Sequence, residues 1–187
     1  MKKIFSFLLV SILLSAGCFA QTAIPSLDKS PMDLSSYPAN YAGLIAQGRT
    51  VDPLVARVIY SRPQKNGRVI FGDLVEYNKV WRFGANENTE IEFFNDVKIN
   101  NVKMKKGKYT LFAIPMEDKW TIIFNKDLNA WGAYTYNMND DILRVDVPVQ
   151  KTEAPAEAFF IYFDKAAGGF TMNAGWDNVK ISLPISM

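Results

Sequence analysis

The sequence predicts a mainly β protein, an antiparallel β-sandwich or flattened barrel with an extended N-terminal arm. Three observations carry that prediction. After Leu54 the chain breaks into short β-rich runs separated by Gly, Asn, Asp and Pro. Several runs alternate apolar and polar residues with a period of two, as half-buried antiparallel strands do. No amphipathic helical pattern interrupts them.

The chain opens with what reads as a secretory signal peptide, residues 1–20. Lys2 and Lys3 give a positive start, Ile4 to Leu14 an apolar run broken only by Ser6 and Ser11, and Cys18-Phe19-Ala20 a small-x-small cleavage site before Gln21. The run is shorter than the roughly 20 apolar residues of a spanning helix, and no later stretch reaches that length, so no transmembrane segment is expected after cleavage. Ser15-Ala16-Gly17-Cys18 offers a second reading, a lipobox with an acylated Cys18, although Ser15 stands where lipoboxes usually carry Leu. Either way the expected location is the periplasm or the cell exterior.

Cleavage after Ala20 removes two of the 21 Lys and Arg residues and none of the 19 Asp and Glu, which leaves a neutral chain. A neutral chain has no electrostatic case for nucleic acid. The only cysteine lies in the removed segment, so the exported protein is expected to be stable without disulfides.

Residues 21–50 carry Pro25, Pro31 and Pro38, frequent Ser and no clean apolar period, which predicts the extended arm, with a helical turn near Tyr41 to Gln47. Residues 51–187 then form a single sandwich domain, long enough for one core. Strands are expected over Leu54 to Tyr60, Arg68 to Phe71, Thr89 to Phe94, Val97 to Ile99, Lys108 to Ile114 and Trp120 to Phe124. Further strands are expected over Ala133 to Tyr136, Leu143 to Val149, Ala158 to Phe163, Gly169 to Gly175 and Val179 to Ile185.

Glu90 and Glu92 share one face of their run and Ile91 and Phe93 the other; Arg144 and Asp146 likewise oppose Val145 and Val147. Ala158 to Phe163 is continuously apolar and aromatic, which predicts a central strand buried on both faces. Pro184 cannot donate to a ladder, so the last strand is expected at an edge or with Pro184 facing outward. Val97 to Val102 reads as a hairpin around Asn100-Asn101, and Asp73 to Val80 as a helical turn or structured loop.

The chemistry is bounded by absence. The chain has no histidine, which excludes Ser-His-Asp triads, Cys-His dyads and His-based zinc sites. Without a cysteine past Ala20, thiolate catalysis and thiolate metal sites go too. What distinguishes the chain is the stretch from Ser61 to Thr89, dense in directed hydrogen-bonding groups. From it a ligand site is assigned to Arg62, Arg68, Trp81, Arg82, Asn86, Glu87 and Thr89. An arginine there would hold a carboxylate or sugar hydroxyl, Trp81 would stack, and Asn86 and Glu87 would fix orientation. The same residues also fit a structural clasp, with Trp81 in the core, Arg82 stacked on an aromatic face, Gly72 and Gly84 in turns, and the polar residues tying a loop.

No catalytic residue, metal ligand or cofactor is assigned. Asn137, Asn139 and Asp141 have the spacing of a calcium loop, but Ile142 stands where such a loop needs Gly and no Glu follows at the bidentate position, so a polar loop is expected. Lys103, Lys105, Lys106 and Lys108 read as a solvated turn.

Motifs in order along the chain carry a resemblance. They are Tyr60-Ser61-Arg62-Pro63, Gly67-Arg68-Val69-Ile70-Phe71-Gly72, Val80 to Glu87, Lys106 to Pro115, Trp120 to Asn125 and Trp131-Gly132-Ala133-Tyr134. Together they resemble the DUF2911 family over roughly Leu34 to the C-terminus. The resemblance implies an exported bacterial protein of the kind common in Bacteroidetes, and supplies no reaction. Phe83 departs from the Thr common in the family after the Trp-Arg pair, which puts an apolar ring where a hydroxyl is usual.

The reading favoured is a non-catalytic small-ligand or glycan binding module. One alternative is a carboxylate-dependent hydrolase using Glu87 and Asp73, or the Glu90/Glu92 pair. The other is a structural envelope or interaction protein whose arm docks on a partner, marked by an exposed apolar patch. The leader gives a direct test: intact-mass analysis of the exported product should show a chain beginning at Gln21, and a diacylated Cys18 terminus would establish the anchored form instead.

Overall fold

The computed structural model describes residues 24–187, so the leader and Cys18 lie outside the described residues. In chain order the strands are β1 (Met32–Tyr37), β2 (Ala56–Ser61), β3 (Thr89–Phe93), β4 (Val97–Ile99), β5 (Val102–Met104), β6 (Gly107–Pro115), β7 (Lys119–Asn125), β8 (Asp141–Pro148), β9 (Gln150–Ala166) and β10 (Gly169–Ser186). One short helix, α1 (Tyr41–Ala46), follows β1 where the helical turn is expected, and a 3₁₀ turn spans Met138–Asp140. A six-stranded sheet has the order β1-β2-β3-β6-β7-β8 and a four-stranded sheet the order β5-β4-β10-β9, with every pairing between strands antiparallel. The sheets stay open, so of the two expected shapes it is the sandwich. Among the described residues no helix is long and apolar enough to cross a membrane.

Alternation explains the layering. In register, Val58, Ile91 and Tyr109 share the inner face, as do Thr89, Leu111, Phe124 and Leu143. These pack against Phe159, Ile161, Phe163, Phe170, Met172, Ile181 and Leu183 of the second sheet. Trp81, bridged to Ala113 by backbone hydrogen bonds in both directions, stands between the layers. Its ring meets Phe71, Phe83, Trp120, Phe159 and Trp176 at centroid distances of 5.1 to 6.3 Å. Edge-to-face pairs of this kind add about 0.5 to 1.5 kcal/mol each beyond the apolar area they bury.

The middle of the arm segment is β1, laid on the edge of β2 from Met32↔Ser61 to Tyr37↔Ala56. Tyr37 stacks on Phe170 with centroids 4.4 Å apart, and the Ser35 hydroxyl donates to the Ile161 carbonyl at 2.6 Å.

Other expectations need correction. Arg68 to Phe71 and Ala133 to Tyr136 are turns and bridges, because their backbone groups are used locally: Val75 N–H bonds the Ile70 carbonyl and Tyr136 N–H the Ala133 carbonyl. Asp73 to Val80 is accordingly a structured loop. Ala158 to Phe163 is not a central strand, since β9 pairs only with β10 and forms the sheet edge. Phe159, Ile161 and Phe163 face the core, while Phe160 and Tyr162 pack on each other outside, centroids 5.7 Å apart; that outer pair makes the run continuously aromatic. Gly169 to Gly175 and Val179 to Ile185 merge into one strand, β10, whose register shifts around Asp177. Pro184 faces solvent, past the last β9 partner at Lys180 and short of the β4 partner at Ser186.

The expected hairpin is β4–β5, turning through Asn100 and Asn101 with φ of 48° and 62°, the left-handed pair that such two-residue turns require. Asp96 secures it. The Lys103 ammonium lies 2.9 Å from its carboxylate, Lys105 lies 3.6 Å away, and the Lys106 N–H donates at 2.9 Å. The Lys103 hydrogen bond first, and the Lys106 N–H second, hold the Asp96 carboxyl down at about 2. A depressed carboxyl stabilises the folded state above its unfolded value of about 4, and that contribution disappears as pH falls toward 2. A carboxyl-detected NMR titration should give an Asp96 midpoint near 2, moving back up in Lys103→Met; a wild-type midpoint near 4 would remove this role.

Candidate functional site

The outer face of the six-stranded sheet is not uniformly solvated. Phe112 and Ile123 pair with each other on that face, opposite in direction to Leu111 and Phe124, yet they are 1% and 0% exposed. The segment 126–137 covers them. Tyr136 packs its ring on Phe112 with centroids 5.0 Å apart. Asn125, also on the outer face, accepts from Asp127 N–H at 2.8 Å and donates to the Asn137 carbonyl at 3.2 Å, while the Thr110 hydroxyl donates to the Asp127 carbonyl.

The front of this segment is pinned to the start of β3. The Glu90 carboxylate accepts from Asn129 N–H at 2.9 Å, Asn88 N–H donates to the Ala130 carbonyl at 3.0 Å, and Glu87 bridges Trp131. With its backbone so held, the Trp131 side chain stands out from the surface, 54% exposed. Beneath it lies a cleft of about 360 Å³ lined by Met32 of β1, Ile59 of β2, Glu87, Asn88 and Glu90 around β3, and Asn129, Ala130 and Trp131 of the covering segment. No lysine or arginine lines it.

Asn88 is the unusual residue of the cleft. It is 5% exposed, and among the described residues neither its amide oxygen nor its amide nitrogen has a hydrogen-bond partner. The Ser61 hydroxyl, on the strand position paired with Met32, is likewise buried and unpartnered. Buried polar groups are paired in the great majority of cases, and an orphaned one costs about 1 to 3 kcal/mol.

A second cleft of about 310 Å³ lies on the other side of the covering segment, lined by Leu74, Val75, Glu76, Lys79, Val80, Trp81, Arg82, Ala133 and Tyr134. The turn Trp131-Gly132-Ala133-Tyr134 separates the two clefts. Gly132 is required there, at φ 66°: a Cβ would lie 3.0 Å from Arg82 Nη1 and 3.5 Å from the Tyr134 ring.

The seven residues assigned from sequence are distributed over this region rather than gathered in one pocket. Arg62 spans three segments, donating to the Asp33 carboxylate at 2.9 Å and to the Phe159 carbonyl at 3.1 Å. Arg68 is exposed and donates back to the Lys65 carbonyl at 3.0 Å and to the Gln64 carbonyl. Trp81 is 9% exposed in the core, its indole N–H donating to the Gly84 carbonyl at 3.2 Å. Thr89 is buried, its hydroxyl donating to the Phe83 carbonyl at 2.7 Å. That bond holds Phe83 at φ 52°, a left-handed conformation rarely adopted by so bulky a residue, with its ring fully buried. Gly84 follows because a Cβ would meet the Ser61 carbonyl at 3.2 Å. Asn86 donates to Asp28 at 2.9 Å. Arg82 lines the second cleft and Glu87 the first.

Sequence reasoning missed Asn88 and Trp131. Asn88 sits inside the singled-out block, but an asparagine among turn residues reads as a loop tie. Trp131 enters the sequence reading only within a motif, since an isolated tryptophan gives no sign of its exposure. Of the carboxylates considered for hydrolysis, Glu92 is ion-paired with Arg57 at 2.5 Å, Glu90 accepts from Asn129, and Asp73 lines neither cleft. Asp141 is taken up by Asn125 at 2.8 Å, Tyr136 at 2.8 Å and Arg144 at 2.7 Å, and Asn137 caps the 3₁₀ turn. Burial, and then the Asp141 carboxylate, pushes the Tyr136 phenol up. Among the described residues no group of three or more Asp, Glu, His or Cys is placed to hold a metal ion.

The family model described as "Protein of unknown function (DUF2911)" matches residues 45–185. No curated protein and no solved structure matches the chain. The orphaned amide makes its own prediction. Asn88→Leu, nearly isosteric and apolar, should raise stability in denaturant melts by about 1 kcal/mol, because it removes an unpaired buried amide without opening a cavity. A loss of stability would show that the amide is paired in solution.

Proposed function

The chain belongs to the DUF2911 family, whose description names no activity, and from the geometry of the Trp131 cleft we propose a non-catalytic protein that binds a glycan or similarly hydroxylated small ligand. The carrying observation is an exposed indole over a cleft edged by the carboxylate residues Glu87 and Glu90. A pyranose presents an apolar C–H face and a rim of hydroxyls. The Trp131 ring suits the face, and the polar lining of the cleft suits the rim. Glu87 and the remaining lone pairs of Glu90 accept from further hydroxyls. Two carboxylates and no cation in the lining argue for an uncharged unit at this position, because an anion there would meet like charge.

The cleft wall joins four chain segments, β1, β2, the start of β3 and the 126–137 segment, so its shape is set by the sandwich rather than by one loop. An exported location, periplasmic or extracellular, is part of the reading and rests on the charged start, apolar run and small-residue site of residues 1–20. The domain of residues 51–187 carries the cleft together with Met32 of β1.

Titration calorimetry with glucose, galactose, mannose, N-acetylglucosamine and their β-linked disaccharides is the test. At least one should bind with quenching or enhancement of tryptophan fluorescence, and Trp131→Ala should weaken it at least tenfold, about 1.4 kcal/mol, while leaving the melting temperature nearly unchanged. Binding that survives Trp131→Ala, or a panel with no binder, would overturn the proposal.

A further inference from the structure

We propose that the ligand is an acidic glycan, with an uncharged sugar under Trp131 and a carboxylate-bearing unit, of the uronic acid class, received by Arg82 in the second cleft. This rests on the glycan reading of the first cleft and adds the charge and orientation of what is bound. Arg82 is half-buried, and among the described residues its side chain makes no hydrogen bond or ion pair. Every other arginine between β2 and Phe83 is engaged: Arg57 by Glu92, Arg62 by Asp33 and Phe159, Arg68 by Lys65 and Gln64. A partly desolvated guanidinium with its fork unfilled matches a carboxylate bidentately.

The surroundings select the same ligand. The other cation of the second cleft, Lys79, is paired with Glu76 at 2.7 Å, so one net positive charge remains, at Arg82. The first cleft has the opposite balance, with Glu87 and Glu90 and no cation. An acidic saccharide can therefore lie across the turn in one direction only. The turn itself is narrow: Trp131 and Tyr134 are three residues apart, at most about 10 Å of chain. At Gly132, where a Cβ would meet both, the Arg82 guanidinium and the Tyr134 ring come together at the turn. Neighbouring sugar units of one oligosaccharide thus reach both clefts, and Tyr134, 81% exposed, gives the acidic unit a ring to lie against.

The experiment uses an array of cello-, galacto- and manno-oligosaccharides with and without a terminal uronate, followed by calorimetry on the best matched pair. The expected result is that the uronate member binds about tenfold tighter than its neutral counterpart, and that raising salt from about 50 to 500 mM weakens only the acidic member. Arg82→Gln should erase the difference and leave neutral binding intact, and Arg82→Lys should restore part of it. Equal affinity for both members in the wild type, with Trp131→Ala still abolishing both, would overturn the acidic ligand while leaving the glycan reading in place. Equal loss of neutral and acidic binding in Arg82→Gln would also overturn it, because Arg82 would then only support the turn. No binding to any member would remove both readings together.

Discussion

The structure depends on the position of Trp81. It is not part of a long strand; a single bridge to Ala113 holds its backbone while five aromatic rings surround its side chain. Phe159 and Trp176 come from one sheet, Trp120 from the other, and Phe71 and Phe83 from the intervening loops. Fixing that ring dictates its neighbours. With Trp81 and Phe83 both turned inward, Arg82 must face out, Phe83 must take a left-handed backbone, and the chain must pass so close to Ser61 that only glycine fits at position 84. The Thr89 hydroxyl and the Trp81 indole then satisfy the two carbonyls this bend would leave bare. The stretch that looks functional in sequence is thus in large part the fastening of a core, with Arg82 and Glu87 placed at the two clefts.

Much of the fold was legible because strands with one wet face announce themselves. The alternations at Thr89 to Phe93 and Leu143 to Val149, and the Asn100-Asn101 turn, were readable from local chemistry alone. What failed did so for tertiary reasons. The aromatic run Ala158 to Phe163 looks buried on both sides, yet half of it is a surface pair, Phe160 and Tyr162, that shields itself. Arg68 to Phe71 has strand composition but no strand beside it. The leader's reading stands on residue pattern alone. At the site, the arginines gave chemistry without geometry: Arg62 and Arg82 are the same residue type in one stretch, and only the fold decides that one is spent on Asp33 and Phe159 while the other has no partner among the described residues. Asn88 carries the reverse lesson, since its significance lies in lacking partners, a property no sequence displays.

The cleft is a surface built on a surface. The 126–137 segment buries Phe112 and Ile123 of the outer face, creating a small second apolar layer outside the main core. That layer gives the Trp131 turn a firm seat without a helix or a disulfide, through carbonyl and carboxylate contacts at Asn125, Glu90 and Asn88. On the proposed function, a cleft assembled this way is preorganised, so little ordering entropy would oppose a ligand.

The connection between the layers has a consequence for how the chain folds. Within the six-stranded sheet most neighbours are also successive or nearly so in sequence, and β9 and β10 are joined by a tight turn. The sheets meet along residues 62–65, where Arg62 reaches Phe159 over 97 residues, Lys65 reaches Asp177 over 112, and Gln64 bridges Ala158. Loop-closure entropy is therefore concentrated along one seam, these four residues together with β1, whose Ser35 reaches Ile161 over 126 residues and whose Tyr37 stacks on Phe170. Hairpins form on either side of it independently and cheaply, and the slow event is the seam itself, the moment at which two half-wetted sheets first exclude water from between Trp81 and Trp176.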